Sequence, residues 1–417
     1  MNDNQHIPSG YKPSPLGPIP EDWEVKSVKD ISTIKGRIGY RGYTINDIVN
    51  DGDGAISLSP SNIVDGKLQF NSVTSITWEK YYESPEIMLR DGDIVMVKTG
   101  SSFGKVAFVE NLPHETTINP QFVIINNIKC DNKWLCYLFE SDCIQKNVHR
   151  IVVGGAIPTM SQEEIASFRI AVPPLPEQQR IVSVLSLWDT AIEKQTALIE
   201  KLTLRKRGLM QQLLTGKKRL KGFSGEWKEL RLGEVALVIG GGTPNTDIPD
   251  YWSGDIPWFT PSEIGEHKYV NTSERTISEK GLNDSSAKLL PQGTILFTSR
   301  ATIGAKAILT TEATTNQGFQ SFVANNENNN EFIYYYLDII LNEIKQKASG
   351  STFPEVSAES LRRILIKIPN TNEQNAIASV LVNADKEIEI QKQKLAAMQA
   401  QKKGLMQVLL TGKKRIK

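Results

Sequence analysis

The stretch EQQRIVSVLSLWDTAIEKQTALIEKLTLRKRGLMQQLLTGKKRLK, Glu177–Lys221, decides how the chain is built, because the chain contains it twice. The second copy ends KKGLMQVLLTGKKRIK, Lys402–Lys417. The match runs back without a gap: Glu177-Gln178 pairs with Glu373-Gln374, Asp189 with Asp385 and Gln195 with Gln391. About half of the aligned positions are identical, far above chance for an internal repeat. The repeat divides the chain into a globular half, a helix, a second globular half and a second helix.

Each copy predicts one long helix. Apolar residues recur in alternating steps of three and four: Ile181, Leu185, Trp188, Ile192, Ile199, Leu202, Leu209 and Leu213. The second copy has Ile377, Leu381, Ala384, Ile388, Leu395, Met398, Leu405 and Leu409. Such a narrow seam suits a coiled coil. Two seam positions are polar, Gln195 and Lys206, and the repeat keeps both as Gln391 and Lys402. Pro176 or Asn372 precedes the helix, Glu177 or Glu373 lies in its first turn, and Gly216 or Gly412 follows its last apolar residue. The expected length is roughly 37 residues, or about 55 Å. Two matching helices packed through one face make a quasi-twofold contact, which predicts an antiparallel pair. The axis passes through the middle of each helix, so Gln195 should face Gln391 and fix register. Lys206 and Lys402 should pack their stems while their ammonium groups reach water.

Composition narrows the class. The length of 417 residues suits two to three domains. No apolar run approaches a membrane span. The polar, Pro-rich N-terminus lacks a signal-peptide pattern, which leads to the expectation of a cytoplasmic chain. Cys130, Cys136 and Cys143 lack metal-ligand spacing and read as free thiols. The net charge of +1 decides nothing about partners, but the basic residues cluster at Lys201, Arg205–Arg207, Lys217–Arg219 and Lys221, and again at Lys402, Lys403 and Lys413–Arg415. That clustering serves equally as helix C-terminal charge on a solvated face or as a nucleic-acid or partner-docking patch.

In order along the chain, residues 1–22 read as an extended arm, with 1–20 free of periodicity. Residues 23–172 form the first globular half, 173–221 the central helix, 222–368 the second half and 369–417 the C-terminal helix. The first half offers strands at Ala55–Ser59, Gly92–Gly100, Gln121–Ile125 and Phe168–Val172, a helix over Lys133–Val148 and a turn at Gly154-Gly155. The second half retraces this plan. Trp227 answers Trp23, Gly293–Gly304 answers Gly92–Gly104 with one residue fewer, and Asn316–Phe319 answers Asn119–Phe122. A helix over Asn330–Lys347 and a turn at Gly350–Pro354 follow. The halves agree at their ends and differ in the middle, as one scaffold carrying two surfaces would. The fold class expected is α+β, two similar mixed α/β domains separated by two long helices in an antiparallel coiled coil with pseudo-twofold symmetry.

Catalytic motifs are weak. Asn119–Phe122 (NPQF) is similar to the loop that holds the target amine in amino-methyltransferases, but its second Pro is missing and no glycine-rich cofactor loop precedes it. Gly100–Lys105 (GSSFGK) is one residue short of a phosphate loop, and Val106 stands where magnesium would need a hydroxyl. Pro244 and Pro249 make the run after Gly240-Gly241-Gly242 an extended loop. The four histidines lie far apart and form no metal set. No catalytic constellation repeats in both halves, so neither a catalytic nor a metal residue is assigned.

What remains are polar and basic loops at matching places. The first half offers Arg37, Tyr40, Arg41, Tyr43, Lys98, Thr99, Ser101, Ser102 and Lys105. The second offers Thr243, Asn245, Ser299, Arg300, Thr302 and Lys306. Such side chains reach base edges and phosphates, which makes these the candidate DNA-binding residues.

The chain resembles the specificity subunit of type I restriction-modification enzymes. The resemblance rests on SPLGPIPEDWEVKSVKDI (Ser14–Ile31), KGRIGYRGYT (Lys35–Thr44), PPLPEQQRIVSVL (Pro173–Leu185), GGTPNTDIPDYWSGDIPWFT (Gly241–Thr260) and the paired GLMQ-LLTGKKR helix ends. It implies two target-recognition domains, each reading one half of a split double-stranded DNA site. It also implies two modification (methyltransferase) subunits docked on the helices, with restriction subunits joined through them. S-adenosylmethionine and ATP would belong to those partners, and the chain itself would transfer no methyl group. The second copy reads PNTNEQ where the family has PPLxEQ, which puts the approach of the second helix in question. Two other classes compete: a coiled-coil scaffold that binds only protein, and a self-contained DNA adenine methyltransferase. The absent cofactor loop argues against the latter.

Overall fold

A computed structural model of the chain describes residues 7–39, 42–151, 158–300, 302–349 and 354–416. It divides into two units, and each takes half of each long helix. The first comprises Met1–Gln195 with Lys394–Lys417, and the second Thr196–Gln393. The long helices span Leu175–Leu213 and Thr371–Leu409, 39 residues each.

The first unit has two four-stranded sheets. One runs Val106–Phe108, Ile94–Val97, Phe122–Asn126, Thr33–Lys35, antiparallel throughout. Ile94 to Val97 are all inaccessible, as a central strand covered on both faces requires. The other runs Thr116–Ile118, Ala55–Leu58, Thr74–Ile76, Ile48–Val49. The helices Asn132–Glu140 and Asp142–Ile151 cover the first sheet. The core they close, around Trp134 and Phe139, also takes Ile181 and Leu185 of the first long helix and Met406, Leu409 and Leu410 of the second. Arg169–Val172 pairs with Glu24–Ser27 and ties the end of the globular half to its start.

The second unit repeats the design. Ala236–Gly240, Gln320–Ala324, Ile295–Phe297, Lys306–Leu309 and Tyr269–Val270 form one sheet. Arg275–Ile277, Trp252–Phe259 and Thr314–Thr315 form the other. Its core joins Phe297, Phe322 and Phe332 to Leu213, Leu214, Ile377 and Leu381 of the long helices. The heptad stripe is therefore buried against the globular cores as well as within the helix pair.

In each unit the start of one long helix lies beside the end of the other, running antiparallel. Glu177, buried, accepts both arms of the Arg415 guanidinium at 2.7 Å and the Trp23 indole N–H at 3.0 Å. Arg415 also reaches Asp22. In the second unit, Glu373 accepts Arg219 through two bonds of 2.6 Å, and Arg219 lies 5.7 Å from the Trp227 ring. Bidentate arginine–carboxylate pairs combine charge with fixed geometry. Each helix ends in a glycine of positive φ, Gly216 at 69° and Gly412 at 71°, the left-handed cap that lets the chain turn away. A Cβ at Gly412 would lie 2.6 Å from Pro20 Cδ.

Several expectations change. The described part of the expected N-terminal arm forms a hairpin, Tyr11–Lys12 against Ile19–Pro20. Ile19 packs on Trp23, and the Tyr11 hydroxyl donates to the Gly412 carbonyl at 2.7 Å. The expected helix 133–148 breaks at Ser141, whose hydroxyl donates to Leu138 O and whose backbone is extended. The expected helix 330–347 breaks at Ile340. Pro176 lies inside the first turn rather than before it, where its missing N–H costs nothing. Asn370 answers the doubt over the second helix: its side chain accepts the Glu373 N–H at 3.0 Å and caps the start. Gln195 is buried and Gln391 half-buried. Gly154-Gly155 and residues 350–353 of the second glycine turn lie outside the described residues.

Lys206 and Lys402 do not reach for water. Lys402 binds Asp189 at 2.6 Å with only 16% of its side chain exposed, and Lys206 binds Asp385. Each lies over a tyrosine ring, Tyr137 at 5.1 Å and Tyr335 at 5.2 Å. The same tyrosines donate their hydroxyls to the same aspartates. A carboxylate and a ring face supplied from the globular core and the helix hold each ammonium inside.

Candidate nucleic-acid interface

In the first unit the candidate residues lie mostly around the ends of neighbouring strands. After Ile94–Val97 the chain makes a tight loop, closed by Val97 N–H to Lys105 O at 2.8 Å and Gly104 N–H to Val97 O at 2.9 Å. Ser101 and Lys105 are exposed on it; Lys98, Thr99 and Ser102 are half-buried. Lys98 N–H donates to Gln121 O at 2.7 Å, which joins this loop to the NPQF turn. Asn119 makes that turn by accepting the Gln121 N–H with its own side chain, and it delivers Phe122 into the core. The motif is a structural turn.

Arg37 comes to the same place, donating to Ile118 O at 3.0 Å and to Ser84 Oγ at 3.4 Å. Burial pulls its affinity for the proton down, while Glu86 and Glu83 hold it up. Tyr43 belongs elsewhere: it packs on Ala55, Ile76 and Tyr81 as part of an apolar cluster. Tyr40 and Arg41 lie outside the described residues.

The second unit gathers Thr243, Ser299 and Arg300. Gly242 N–H donates to Thr315 O at 2.8 Å, Thr243 Oγ1 to Gln317 Oε1, and Ser299 N–H to Gly318 O at 2.9 Å. Trp258 and Trp252 brace the glycine loop from behind, their indole N–H groups donating to Gly242 O at 2.9 Å and Asn245 O at 3.2 Å. A Cβ at Gly241 would stand 2.0 Å from Asn316 O, so only glycine fits between these loops. Asn245 and Thr302 are exposed.

Two candidates were misplaced as surface groups. Ser299 is fully buried just past the strand Ile295–Phe297, with its hydroxyl and its N–H both on Gly318 O. Lys306 is 8% exposed, ion-paired to Asp338 and 4.6 Å from the centre of the Tyr334 ring. Its position opens a strand rather than a loop. The loop geometry adds Gln121 and Gln317, one in each unit, at the turns that answer each other in the repeat. The signal was present, since NPQF and NQGF are aligned.

The basic clusters resolve in part into ion pairs within a unit. Arg205 binds Glu387, Lys403 lies 3.6 Å from Asp142, and Arg219 and Arg415 clamp helix starts. Lys201, Arg207, Lys217, Lys218, Lys221, Lys413 and Lys414 remain exposed. All three cysteines are free, and burial pushes Cys136 and Cys130 up, away from reactive thiolates. Among the described residues no His/Cys/Asp/Glu group could hold a metal, and no helix is long and apolar enough to cross a membrane.

This twice-built α/β unit on shared helices defines a class. The family described as the type I restriction modification DNA specificity domain matches residues 20–204 and 224–400. The chain belongs to that family and is a type I restriction-modification specificity subunit, the component of such a complex that carries no catalysis of its own.

Among named relatives, it is similar to the putative type I restriction enzyme MjaX specificity subunit of Methanocaldococcus jannaschii, at 27% identity over 98% of this chain and 97% of that one. The MjaIX specificity subunit of the same organism is 39% identical over 171 residues, a match spanning 40% of each chain. In fold it is similar to a chain from a solved structure on complex assembly and conformational transition of the type I R-M system, with a TM-score of 0.64 at 19% identity, covering 94% of this chain and 99% of that one. The S subunit from M. genitalium gives 0.55 at 15% identity, covering 98% of each.

Proposed function

We propose that this chain reads a bipartite site in double-stranded DNA, one half-site per unit, and docks two methyltransferase subunits on its long helices. Restriction subunits join through those. S-adenosylmethionine and ATP act on the partners, in the cytoplasm. The observation that carries this reading is the repetition itself. Both units keep the same clamps on the helices, Arg415–Glu177 and Arg219–Glu373, while their loops differ. The Lys98–Lys105 loop with Gln121, and the Thr243–Asn245 loop with Gln317, would meet bases and phosphates. A glutamine amide can pair with adenine in the major groove, and lysine with phosphate or guanine. One module offers few base contacts; linking two multiplies affinity when their spacing fits the DNA.

The test is footprinting of the chain with its methyltransferase partner over a salt series. Two protected segments, with affinity falling steeply as salt rises, are expected. Absence of a footprint would leave a protein-only scaffold. The purified chain incubated with S-adenosylmethionine and DNA should transfer no methyl group; methylation of adenine by it alone would overturn the reading.

A further inference from the structure

Both units carry a cleft beside the long helices at equivalent places, and the two differ in charge. Ser61–Thr77 aligns with Ser262–Ser278 without a gap, which makes Lys67 the counterpart of Lys268. The helices Asn132–Glu140 and Asn330–Ile339 start in register, so Glu140 answers Asp338. Val106 and Lys306 each open the strand paired in the same way and answer each other.

In the second unit these positions hold ammonium groups. Lys306 binds Asp338, and Lys268 reaches Glu331 at 2.5 Å and the Tyr335 hydroxyl at 2.6 Å. The first unit has neither. Val106 carries no charge, and Lys67 pairs with Glu193 on the wall of the cleft. A cleft of about 490 Å³ lies there, lined by five carboxylates and three lysines. Each lysine is already paired: Lys67 with Glu193, Lys133 with Glu110, Lys402 with Asp189. Among the described residues neither Glu140 nor Asp65 forms an ion pair, although Lys402 and Lys67 lie close enough to act on the Glu140 carboxyl. The Cys136 thiol donates to the Glu140 Oε1 at 3.9 Å. Glu140 also lines the neighbouring cleft, beside Val106, Lys105 and His149, so it is reached from both sides of the Asp65-Gly66 turn.

We propose that Glu140 is a binding site for a primary alkylammonium group supplied from outside the chain, in the place that Lys306 fills in the second unit. The warrant is the internal repeat, in which the equivalent carboxylate holds an ammonium. A half-buried carboxylate whose neighbouring lysines are engaged with other carboxylates favours a ligand that brings an ammonium of its own. Two sources share this chemistry: a diffusible polyamine and a lysine side chain of a docked subunit. The proposal does not depend on DNA reading.

The experiment is calorimetric titration and thermal unfolding of the full chain with n-butylammonium and with spermidine, against sodium at matched ionic strength. Saturable binding and a raised midpoint are expected. Glu140→Gln should weaken binding at least about tenfold, and Glu140→Asp should retain part of it. Val106→Lys, which brings its own ammonium, should raise the midpoint and abolish the response to either amine. Spermidine binding far tighter than butylammonium assigns a polyamine. Equal weak binding, with Glu140 protected from carbodiimide coupling in the methyltransferase complex, assigns a lysine. A response unchanged in Glu140→Gln, or no response to either amine and no protection in the complex, overturns the proposal.

Discussion

Lys402 and Asp189 show what a polar residue on a helix seam can be for. Each is less than one-quarter exposed, and the Tyr137 hydroxyl completes the group. Removing one charge leaves the other half-buried and unpaired, which costs roughly 2–3 kcal/mol. Lys402→Met should lower stability by that amount in urea titrations, and Lys402→Met with Asp189→Leu should cost less than the sum of the singles. An additive double variant would show that the pair is not coupled.

Glu140 gives a second test at this scale. Burial pushes its carboxyl up to about 7, with Lys402 and Lys67 pulling it down and Asp189 pushing it up. Its ordinary value is 4.5. The folded chain therefore keeps a proton that the unfolded chain releases, so stability should fall as pH rises through this window, by up to roughly 3 kcal/mol. Glu140→Gln should flatten that slope between about pH 5 and about pH 8. An unchanged slope would place the titration elsewhere. The retained Lys206/Lys402 and Asp189/Asp385 were each legible in the repeat, but their pairing was not. It joins residues far apart in sequence, and only the antiparallel packing brings them together.

Among elements, the long helices were legible nearly to the residue, because a heptad stripe, an acidic first turn and a terminal glycine all agree. The shorter helices were not. Ser141 and Ile340 break periodic runs that contain neither glycine nor proline: the Ser141 hydroxyl bonds the Leu138 carbonyl and competes with the helix, while at Ile340 the backbone departs to φ −95°, ψ 4°. The N-terminal hairpin was missed because only Ile19 marks it as buried. Its attachment at Gly412 gives a prediction: Gly412→Ala, strained at φ 71° and crowded against Pro20, should destabilise by roughly 1–3 kcal/mol. Hydrogen exchange should rise in the Tyr11–Pro20 hairpin. Arg415→Ala should raise exchange at Trp23 and Glu177, within its own unit, and leave the Arg219–Glu373 clamp of the second unit protected.

At the scale of the whole molecule, the two-unit plan followed from the repeat, and the exposure of the candidate loop residues was legible only in part. Surface polarity in a sequence does not separate Asn245, which is exposed, from Ser299, which is buried against the Gly318 turn. Nor does it separate a reader from Lys306, whose charge is spent on Asp338. The units' shared clamps and divergent loops make one claim above the rest: each unit reads one half-site. Its most direct measurement is sequencing of methylated sites in cells carrying this chain with residues 23–172 replaced by those of another family member. One half of the methylated site should change while the other half and the partners stay the same. A change in both halves, or in neither, would contradict it.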